Sequence, residues 1–278
     1  MKFAITGASS LIGKKVMNLL TDSGHDVFCL VREPRNSREI KFDLSLSFDS
    51  KLLRTFDLLI HIGWDRSRDF QHSLKINRDG GRDLLDACKK NGVLPVLLST
   101  MSVHSQSSGY GGIKLALEEQ TLELSGRVIR AGLIWGAELS GFLETLYRLS
   151  NLPLIQPILH PDPKFFHSEI NSLAEAIVSA SLSRRSQPII SATSRQTIFL
   201  SELMFAMRKS YGLRFNLSSK TVYKLSKRSE HLGLKLPFNS DSISGILETL
   251  NFDNVSETFQ RETEFPNSKM FLSWASNL

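Results

Sequence analysis

Tyr110 and Lys114 are the two residues whose types and spacing most directly suggest chemistry. They are four positions apart, so a helix through them would place both side chains on one face, one turn apart. A tyrosine with its ordinary pKa of about 10 is a poor acid or base at neutral pH. Because a neighbouring cation favours the phenolate, the pair predicts that Tyr110 exchanges protons with a substrate and that Lys114 lowers the tyrosine pKa.

A cluster of hydroxyl groups precedes this pair in the chain. Ser99, Thr100 and Ser102 follow the apolar run from Leu94 to Leu98, which is typical of a buried strand. A hydroxyl at the end of that strand would hydrogen-bond the oxygen atom of a substrate. The alternative is an ordinary pair of surface residues on a helix, because a Tyr-x-x-x-Lys match is common by chance.

The first twenty residues predict which cofactor such groups would serve. Lys2 to Ile5 is a short apolar run suited to a parallel strand, and a turn of small residues from Thr6 to Gly13 leads into a helical pattern. This geometry directs backbone N–H groups at a phosphate, so the turn is expected to hold the pyrophosphate of a dinucleotide. The residues expected to make these contacts are Gly7, Ser9, Ser10, Leu11 and Ile12. Ser10 replaces the third glycine of a fuller fingerprint, and it fits only if no positive φ is needed there.

The end of the second predicted strand bears on which dinucleotide is bound. The apolar run from Val27 to Val31 is followed directly by Arg32. At this place an acidic residue accepts hydrogen bonds from the ribose hydroxyls, whereas an arginine accommodates a 2′-phosphate. Arg32 therefore favours NADP over NAD, and Glu33 beside it keeps NAD open.

Composition and charge exclude several classes of protein. The chain of 278 residues is 41% hydrophobic and 22% charged, which is ordinary for a soluble globular protein. No apolar run approaches the ~18 residues that would span a membrane. The N-terminus enters a strand without a basic leader, so a cytoplasmic location is expected. Cys29 and Cys88 form no disulfide or metal pattern, and no metal site is predicted.

Basic residues outnumber acidic ones, 34 to 28, and seven of them lie between Arg208 and Arg228 with no acidic residue among them. This run is either a solvated surface or a site for an anionic substrate such as a nucleotide diphosphate. In the second interpretation Arg208 and Arg214 bind the substrate. No nucleic-acid-binding motif accompanies the basic residues.

The alternation of strands and helices predicts an α/β protein with a doubly wound parallel sheet, a Rossmann fold, and a smaller C-terminal mixed substrate lobe. Residues 1–136, with 170–194 returning to them, are predicted to form the dinucleotide-binding domain. Residues 137–169 and 195–278 are predicted to form the substrate-binding lobe. Within these domains we expect one strand over 128–136, a helix over 77–90, a proline-rich loop over 153–163 and helical turns over 242–250.

With these motifs in view, the chain resembles the short-chain dehydrogenase/reductase superfamily. It is most similar to the extended branch, the NAD(P)-dependent epimerase/dehydratase family of nucleotide-sugar enzymes. The resemblance covers residues 1 to about 180, and it rests on TGASSLIG at 6–13, HIGW at 61–64, STMSVH at 99–104, YGGIK at 110–114 and VIRAGLIWG at 128–136.

The resemblance implies a role for particular residues. Thr100 would be the catalytic hydroxyl, Tyr110 the acid/base, and Lys114 its partner, which would also hold the cofactor ribose. The further cofactor contacts that it implies are Asp43 and Leu44 at the adenine, and Ile62 and Gly63 along the cofactor. By the same likeness, helices at 78–90 and 112–125 would form a homodimer interface.

The implied activity is an NAD(P)-dependent oxidoreductase that acts on a nucleotide-linked sugar, as a 4-keto-sugar reductase or an epimerase, by hydride transfer. Dehydration is disfavoured, because Met101 stands where a dehydratase has an acidic residue beside the catalytic hydroxyl. Two alternatives are a reductase of a small carbonyl compound and a non-catalytic NADP-binding regulator. The basic run argues against the first, and the complete set of Thr100, Tyr110 and Lys114 argues against the second.

Overall fold

The computed structural model of the protein describes residues 1–67, 69–103, 109–153, 155–183, 187–209, 213–218, 221–222, 224–225, 228 and 265–278. In chain order the helices and strands are β1 (Lys2–Thr6), α1 (Leu11–Asp22), β2 (Asp26–Val31), β3 (Glu39–Lys41), β4 (Leu58–His61), α2 (Phe70–Asn91), β5 (Leu94–Thr100), α3 (Gly109–Glu123), β6 (Arg127–Ala131), β7 (Leu133–Trp135), α4 (Gly141–Ser150), β8 (Ile155–His160), β9 (Lys164–Phe165), β10 (His167–Glu169), α5 (Ile170–Leu182), β11 (Ile189–Ala192), β12 (Ile198–Phe199), α6 (Leu200–Ala206), β13 (Leu213–Ser218) and α7 (Ser268–Ser276). A short 3₁₀ turn, Ser50–Leu53, precedes β4.

A seven-stranded parallel sheet forms the centre of the first of two compact units, which contains Met1–Ala131 and Ile170–Ala192. The strand order is β11-β6-β5-β4-β1-β2-β3. Strand β1 pairs in parallel with β2 on one side and with β4 on the other, so the order reverses at β1. In doubly wound sheets a dinucleotide binds beyond the carboxyl ends of the strands at such a reversal. The predicted Rossmann fold is confirmed.

Apolar side chains bury this sheet on both faces, which explains why its strands have few polar positions. Phe3, Ala4 and Ile5 of β1 are fully buried, as are Leu59 and Ile60 of β4. Helix α1 packs against α5, and α2 packs against α3. The carboxyl ends of the strands are therefore fixed by a packed core, and the loops that follow them can carry functional side chains.

Three elements differ from the sequence predictions, each because of a distant or capping contact. Helix α2 begins at Phe70 rather than at residue 77, since the Asp69 carboxylate caps it by accepting a hydrogen bond from the His72 amide at 3.0 Å. The strand predicted over 128–136 is divided: β6 ends at Ala131 and β7 pairs with β10. Strand β8 runs through the predicted proline-rich loop and pairs with β13.

The second unit contains Gly132–Glu169, the described residues from Thr193 onward, and Phe265–Leu278. Its core gathers Trp135, Leu203 and Phe271, with Trp135 stacked on Phe271 at 5.0 Å between ring centroids. The helical turns predicted over 242–250 and the last residue of the 99–104 motif lie outside the described residues. No helix within the described ranges has the length and apolar character to cross a membrane.

Candidate active site

The turn between β1 and α1 approaches the loop after β4 very closely. Gly7 has a φ of +71°, and a Cβ atom added there would lie 2.7 Å from the Gly63 amide nitrogen. A Cβ atom on Gly13 would lie 2.2 Å from the Gly7 carbonyl oxygen. Only glycine fits either position. The two glycines thus allow the helix, the turn and the neighbouring loop to meet at the reversal point of the sheet.

Ser10 is compatible with this turn, because its backbone is extended, with φ −72° and ψ 162°. Its hydroxyl caps α1: it accepts from the Gly13 amide at 3.1 Å and donates to the Gly7 carbonyl at 2.7 Å. Within the described part of the chain, the amides of Leu11 and Ile12 have no hydrogen-bond acceptor. Free amides at a helix N-terminus fit a phosphate. The residues of the turn, including the exposed Ser9, therefore fit the pyrophosphate of a dinucleotide.

A chain of hydrogen bonds fixes the loop after β4 beside this turn. The Gly63 amide donates to the Thr6 hydroxyl at 3.1 Å, and that hydroxyl lies 2.7 Å from Nδ1 of His61. His61 is only 2% exposed, and burial together with the nearby Lys114 charge lowers its pKa to about 3. The imidazole is therefore neutral at physiological pH and positions the backbone of Ile62 and Gly63.

The predicted adenosine contacts follow β2 and β3 at the same edge of the sheet. Arg32 is exposed directly after β2, and Asp43 and Leu44 follow β3. The Asp43 carboxylate accepts hydrogen bonds from the Ser45 hydroxyl at 2.7 Å and the Ser45 amide at 2.9 Å. These bonds lower the pKa of Asp43, and the positive charge of Arg32 adds a smaller lowering. Arg32 and Asp43 thus belong to one electrostatic environment.

Tyr110 and Lys114 lie in the first two turns of α3, as their spacing predicts. Lys114 is 4% exposed, and its Nζ donates to the Leu98 carbonyl at 2.7 Å, which ties α3 to β5. The same Nζ lies 4.7 Å from the centroid of the Trp64 ring. Tyr110 meets Trp64 edge to face, with centroids 4.7 Å apart. The loop after β4 therefore contacts both members of the pair.

The pKa values in this pair differ from the sequence expectation. Burial lowers the pKa of Lys114 to about 8, against the opposing effect of the Glu118 charge. Desolvation raises the pKa of Tyr110 to about 12, although the residue is 36% exposed. The expected lowering of the tyrosine pKa by Lys114 is wrong, because desolvation of the phenol outweighs the effect of nearby charge. The cation that opposes the rise is Arg66.

An ion pair lies behind Lys114 on the same helix. Glu118 is 1% exposed and is bound by Arg130 of β6, with Nη2 to Oε2 at 2.6 Å and Nε to Oε1 at 3.1 Å. Because Glu118 is four residues after Lys114, its charge also helps to keep the lysine protonated. The sequence analysis missed both residues; the i, i+4 spacing of Lys114 and Glu118 is the signal that could have found one of them.

Thr100 is the last residue of β5 and is partly exposed. Its hydroxyl oxygen accepts a hydrogen bond from the Ser102 amide at 3.2 Å, which leaves its proton available to donate. Ser99, by contrast, is 4% exposed, and its hydroxyl is buried with no hydrogen-bond partner in the described structure. Of these two neighbouring hydroxyls, Thr100 is the better placed to meet a substrate.

The sequence analysis includes Trp64 in the motif at 61–64 but assigns it no role. The residue that follows it, Asp65, is bound by two side chains of α2. The Asn77 side chain accepts from the Asp65 amide at 2.7 Å and donates to the Asp65 carbonyl at 3.0 Å. The Ser73 hydroxyl donates to the same carbonyl at 2.6 Å. Both partners are nearly fully buried. No spacing rule predicts these contacts, since they join a loop to the middle of a helix.

The two predicted substrate contacts lie in the second unit. Arg208 follows α6, and its Nη1 donates to the Ser150 carbonyl at the end of α4 at 3.2 Å. Arg214 lies in β13. Among the described residues, no group of three or more histidine, cysteine or acidic side chains is arranged to hold a metal ion.

Comparison with solved structures shows the same fold in proteins of low sequence identity. UDP-N-acetylglucosamine 4-epimerase from Bacillus cereus is 18% identical, with a TM-score of 0.60 over 90% of this chain and 99% of that one. UDP-glucuronic acid 4-epimerase from Bacillus cereus, solved with NAD, is 18% identical, with a TM-score of 0.63 over 90% and 97%. TunA, described as an NAD-dependent NDP-hexosamine 5,6-dehydratase, is 18% identical, with a TM-score of 0.61 over 90% and 97%. Curated protein sequences give no significant match.

Residues 3–124 match the model of the NAD dependent epimerase/dehydratase family. This range includes the βα turn, the loop after β4, Thr100, and the Tyr110–Lys114 pair. The match confirms that the chain is an enzyme of the short-chain dehydrogenase/reductase type. The matched family is the one that the motifs of residues 6–13, 61–64, 99–104 and 110–114 predict, and the similarity is to this family's model over residues 3–124.

Proposed function

We propose that the protein is an NAD(P)-dependent oxidoreductase of a nucleotide-linked sugar, acting as a 4-keto-sugar reductase or an epimerase. The observation that carries the proposal is the placement of Tyr110 and the buried Lys114 on α3, with Lys114 bonded to β5 two residues before Thr100. The phosphate-binding turn at the reversal point of the same sheet supports the cofactor.

A bound nicotinamide would supply or accept the hydride in this reaction. With a pKa of about 12, Tyr110 keeps its proton at neutral pH and can donate it to an oxygen that gains negative charge. Thr100 would donate a hydrogen bond to the same oxygen. Lys114, with a pKa of about 8, is mostly protonated at pH 7. One of its three N–H groups donates to the Leu98 carbonyl, and the others can donate to a ligand.

The protonation state of Tyr110 favours the reducing direction, because reduction of a ketone requires an acid. An epimerase needs the same tyrosine as a base in its first half-reaction. Two of the similar structures are 4-epimerases, which supports the epimerase as the second candidate. Met101, buried at 5% exposure beside Thr100, offers no acid for a dehydratase.

For the cofactor we propose NADP in preference to NAD. Arg32 is exposed directly after β2, and its charge acts on Asp43. An arginine at this place supports binding of the 2′-phosphate of NADP. Binding of NAD is supported by the names of similar proteins, among them MoeE5 in complex with UDP-glucose and NAD. We further propose that Arg208 and Arg214 bind the substrate diphosphate and that α2 and α3 form a homodimer interface. A small carbonyl substrate is the alternative if these arginines have no such role.

The test compares the wild-type protein with Tyr110→Phe and with the control Tyr147→Phe, which makes the same change in the second unit. Nicotinamide fluorescence measures the affinity for NADH and NADPH, and turnover is assayed with UDP-sugars and their 4-keto derivatives. Tyr110→Phe is expected to lower turnover by about 10²–10⁴ while dinucleotide affinity stays within about threefold. NADPH should bind more tightly than NADH. Unchanged turnover in Tyr110→Phe would reject the mechanism, and absence of dinucleotide binding would reject the function as a whole.

A further inference from the structure

One aromatic ring contacts both members of the proposed proton-transfer pair. The edge-to-face contact with Tyr110 is made at 4.7 Å and an interplanar angle of 73°, and the Lys114 ammonium lies 4.7 Å from the centroid of the same indole. Within the described residues, no hydrogen bond joins the Tyr110 hydroxyl to Lys114. Trp64 is therefore the described side chain through which the two groups are held in a common arrangement.

The ring face offers the ammonium something that an aliphatic side chain would not. Lys114 is 4% exposed and has lost most of its contact with water. The Leu98 carbonyl accepts one of its three N–H groups, and the negative face of the indole attracts the cation. The edge-to-face contact between the two rings at the same time limits the tilt of the Tyr110 ring. Both effects require an aromatic ring at position 64 rather than apolar bulk.

The loop that carries Trp64 is anchored at the residue that follows it. Both backbone polar groups of Asp65 are bound by Asn77, and Ser73 binds the carbonyl as well. Such a backbone clamp restricts where the neighbouring indole can lie. The fixed ring then transmits that restriction to α3.

We propose that Trp64 is a positioning residue for the reaction, which holds Tyr110 by an edge-to-face ring contact and the Lys114 ammonium by the face of its indole ring. This inference rests on the proposed function, in which Tyr110 and Lys114 serve hydride transfer, together with the cofactor-ribose contact that the family resemblance implies for Lys114. The other charged or titratable groups around Lys114 are Tyr110 and Glu118 on α3, His61 on β4, and Arg130 on β6 through Glu118.

The test compares Trp64→Phe with Trp64→Leu, which remove similar volume but differ in the aromatic ring. The affinity for NADPH and NADH is measured from pH 6 to 9.5. Trp64→Phe should retain the wild-type dependence, with affinity falling as the pH rises through about 8, where Lys114 loses its proton. Trp64→Leu should bind about tenfold more weakly at pH 7. The midpoint of its pH dependence should be lower by at least about half a unit, because the ammonium has lost its π face.

Trp274→Phe is the matched control, because it removes a tryptophan from α7 of the second unit. This control should bind NADPH with the wild-type affinity and the wild-type pH dependence, because Trp64 keeps its contact with Lys114. If the folded Trp64→Leu protein retains the wild-type affinity and midpoint, Trp64 only fills space and the proposal is wrong. Failure of the wild-type protein to bind either dinucleotide would instead overturn the proposed function on which this inference rests.

Discussion

Lys114 and Tyr110 have pKa values that are set by side chains from other parts of the chain. Burial moves the two values in opposite directions, to about 8 for the lysine and about 12 for the tyrosine. Between these two values the phenol keeps its proton while the lysine has lost its charge. Below about pH 8 both groups are protonated, and this is the form that suits reduction of a carbonyl. A residue that shifts the lysine pKa therefore shifts the pH range of the reaction.

Glu118→Gln is expected to lower the pKa of Lys114. In the wild-type protein the Glu118 carboxylate stabilises the ammonium, and the variant loses this stabilisation. Dinucleotide affinity should then fall with rising pH at a midpoint below the wild-type value of about 8. The change also leaves Arg130 without its partner, so we expect the free energy of unfolding to drop by about 3 kcal/mol. The measurements are a pH series of NADPH titrations and urea unfolding at pH 7.

Glu119→Gln provides the control for this prediction. It removes the same charge at the next position of α3, where the side chain is exposed. We expect it to change neither the midpoint nor the stability appreciably, since water screens exposed charges. Equal midpoints for Glu118→Gln and the wild-type protein would show that the ion pair has no influence on Lys114.

At the scale of elements, the start of α1 determines whether the dinucleotide turn works with a serine at position 10. Ser10→Ala should lower the free energy of unfolding by about 1 kcal/mol, because the Gly13 amide loses its cap. Ser10→Gly should cost only a few tenths of a kcal/mol. Both variants should bind NADPH within about threefold of wild type, since the phosphate-binding amides belong to the backbone. Urea unfolding and fluorescence titration measure these effects.

Ser23→Ala, at the other end of α1, is the control for the turn. The Ser23 hydroxyl donates to the Leu19 carbonyl and lies far along the helix from the phosphate-binding amides. Its removal should leave NADPH affinity unchanged. If Ser10→Gly instead binds NADPH more than about tenfold tighter than wild type, the serine obstructs the phosphate and the fit argued from its extended backbone is wrong.

The elements of the first unit were predictable where local pattern decides them. Strand β1, the small-residue turn and α1 follow from an apolar run, glycines and a helical repeat within twenty residues. The division between β6 and β7 was not predictable, because the run over 128–136 is uniformly apolar and small. Its interruption depends on the pairing of β7 with β10, more than thirty residues later. Distant pairing leaves no mark on the local pattern.

Some residues of the candidate site were likewise predictable from local sequence, and others were not. Tyr110 and Lys114 were predictable because both lie on one helix, where spacing determines which side chains share a face. Trp64 was not, since its contact with α3 depends on how the loop after β4 is folded by Asn77. The pKa of Tyr110 was mispredicted for a related reason: burial, which the sequence does not state, outweighs the charge of Arg66, which lowers the pKa.

At the scale of the whole molecule, the two units differ in how far the comparison with known proteins describes them. The family match covers residues 3–124, all within the first unit, which contains the predicted cofactor and catalytic residues. Arg208 and Arg214 belong to the second unit, outside the residues that this family model matches. The shared unit thus accounts for the type of chemistry. In the proposed function the choice of sugar would depend on the second unit, and a substrate screen tests this.

Each unit also contains a buried histidine whose burial opposes protonation. His61 in the first unit has its pKa lowered to about 3, and His167 in the second has its pKa lowered to about 4. Trp135 Nε1 donates to His167 Nδ1 at 3.1 Å, so that nitrogen carries no proton. In the unfolded chain both imidazoles have the ordinary pKa of about 6.5. Below that value the unfolded state binds more protons than the folded state, so stability is lost as the pH falls.

We therefore expect the free energy of unfolding to decrease between pH 6 and 4.5, with each of the two histidines contributing about 1.4 kcal/mol per pH unit. His61→Gln and His167→Gln should each reduce the slope by the contribution of one proton, whatever their effect on stability at pH 7. His72→Gln, which changes an exposed residue of α2, should leave the slope unchanged, because water surrounds this imidazole in both states. Urea unfolding at several pH values, followed by circular dichroism and tryptophan fluorescence, gives these slopes. A wild-type slope in both His61→Gln and His167→Gln would show that the acid sensitivity of the two units arises from other groups.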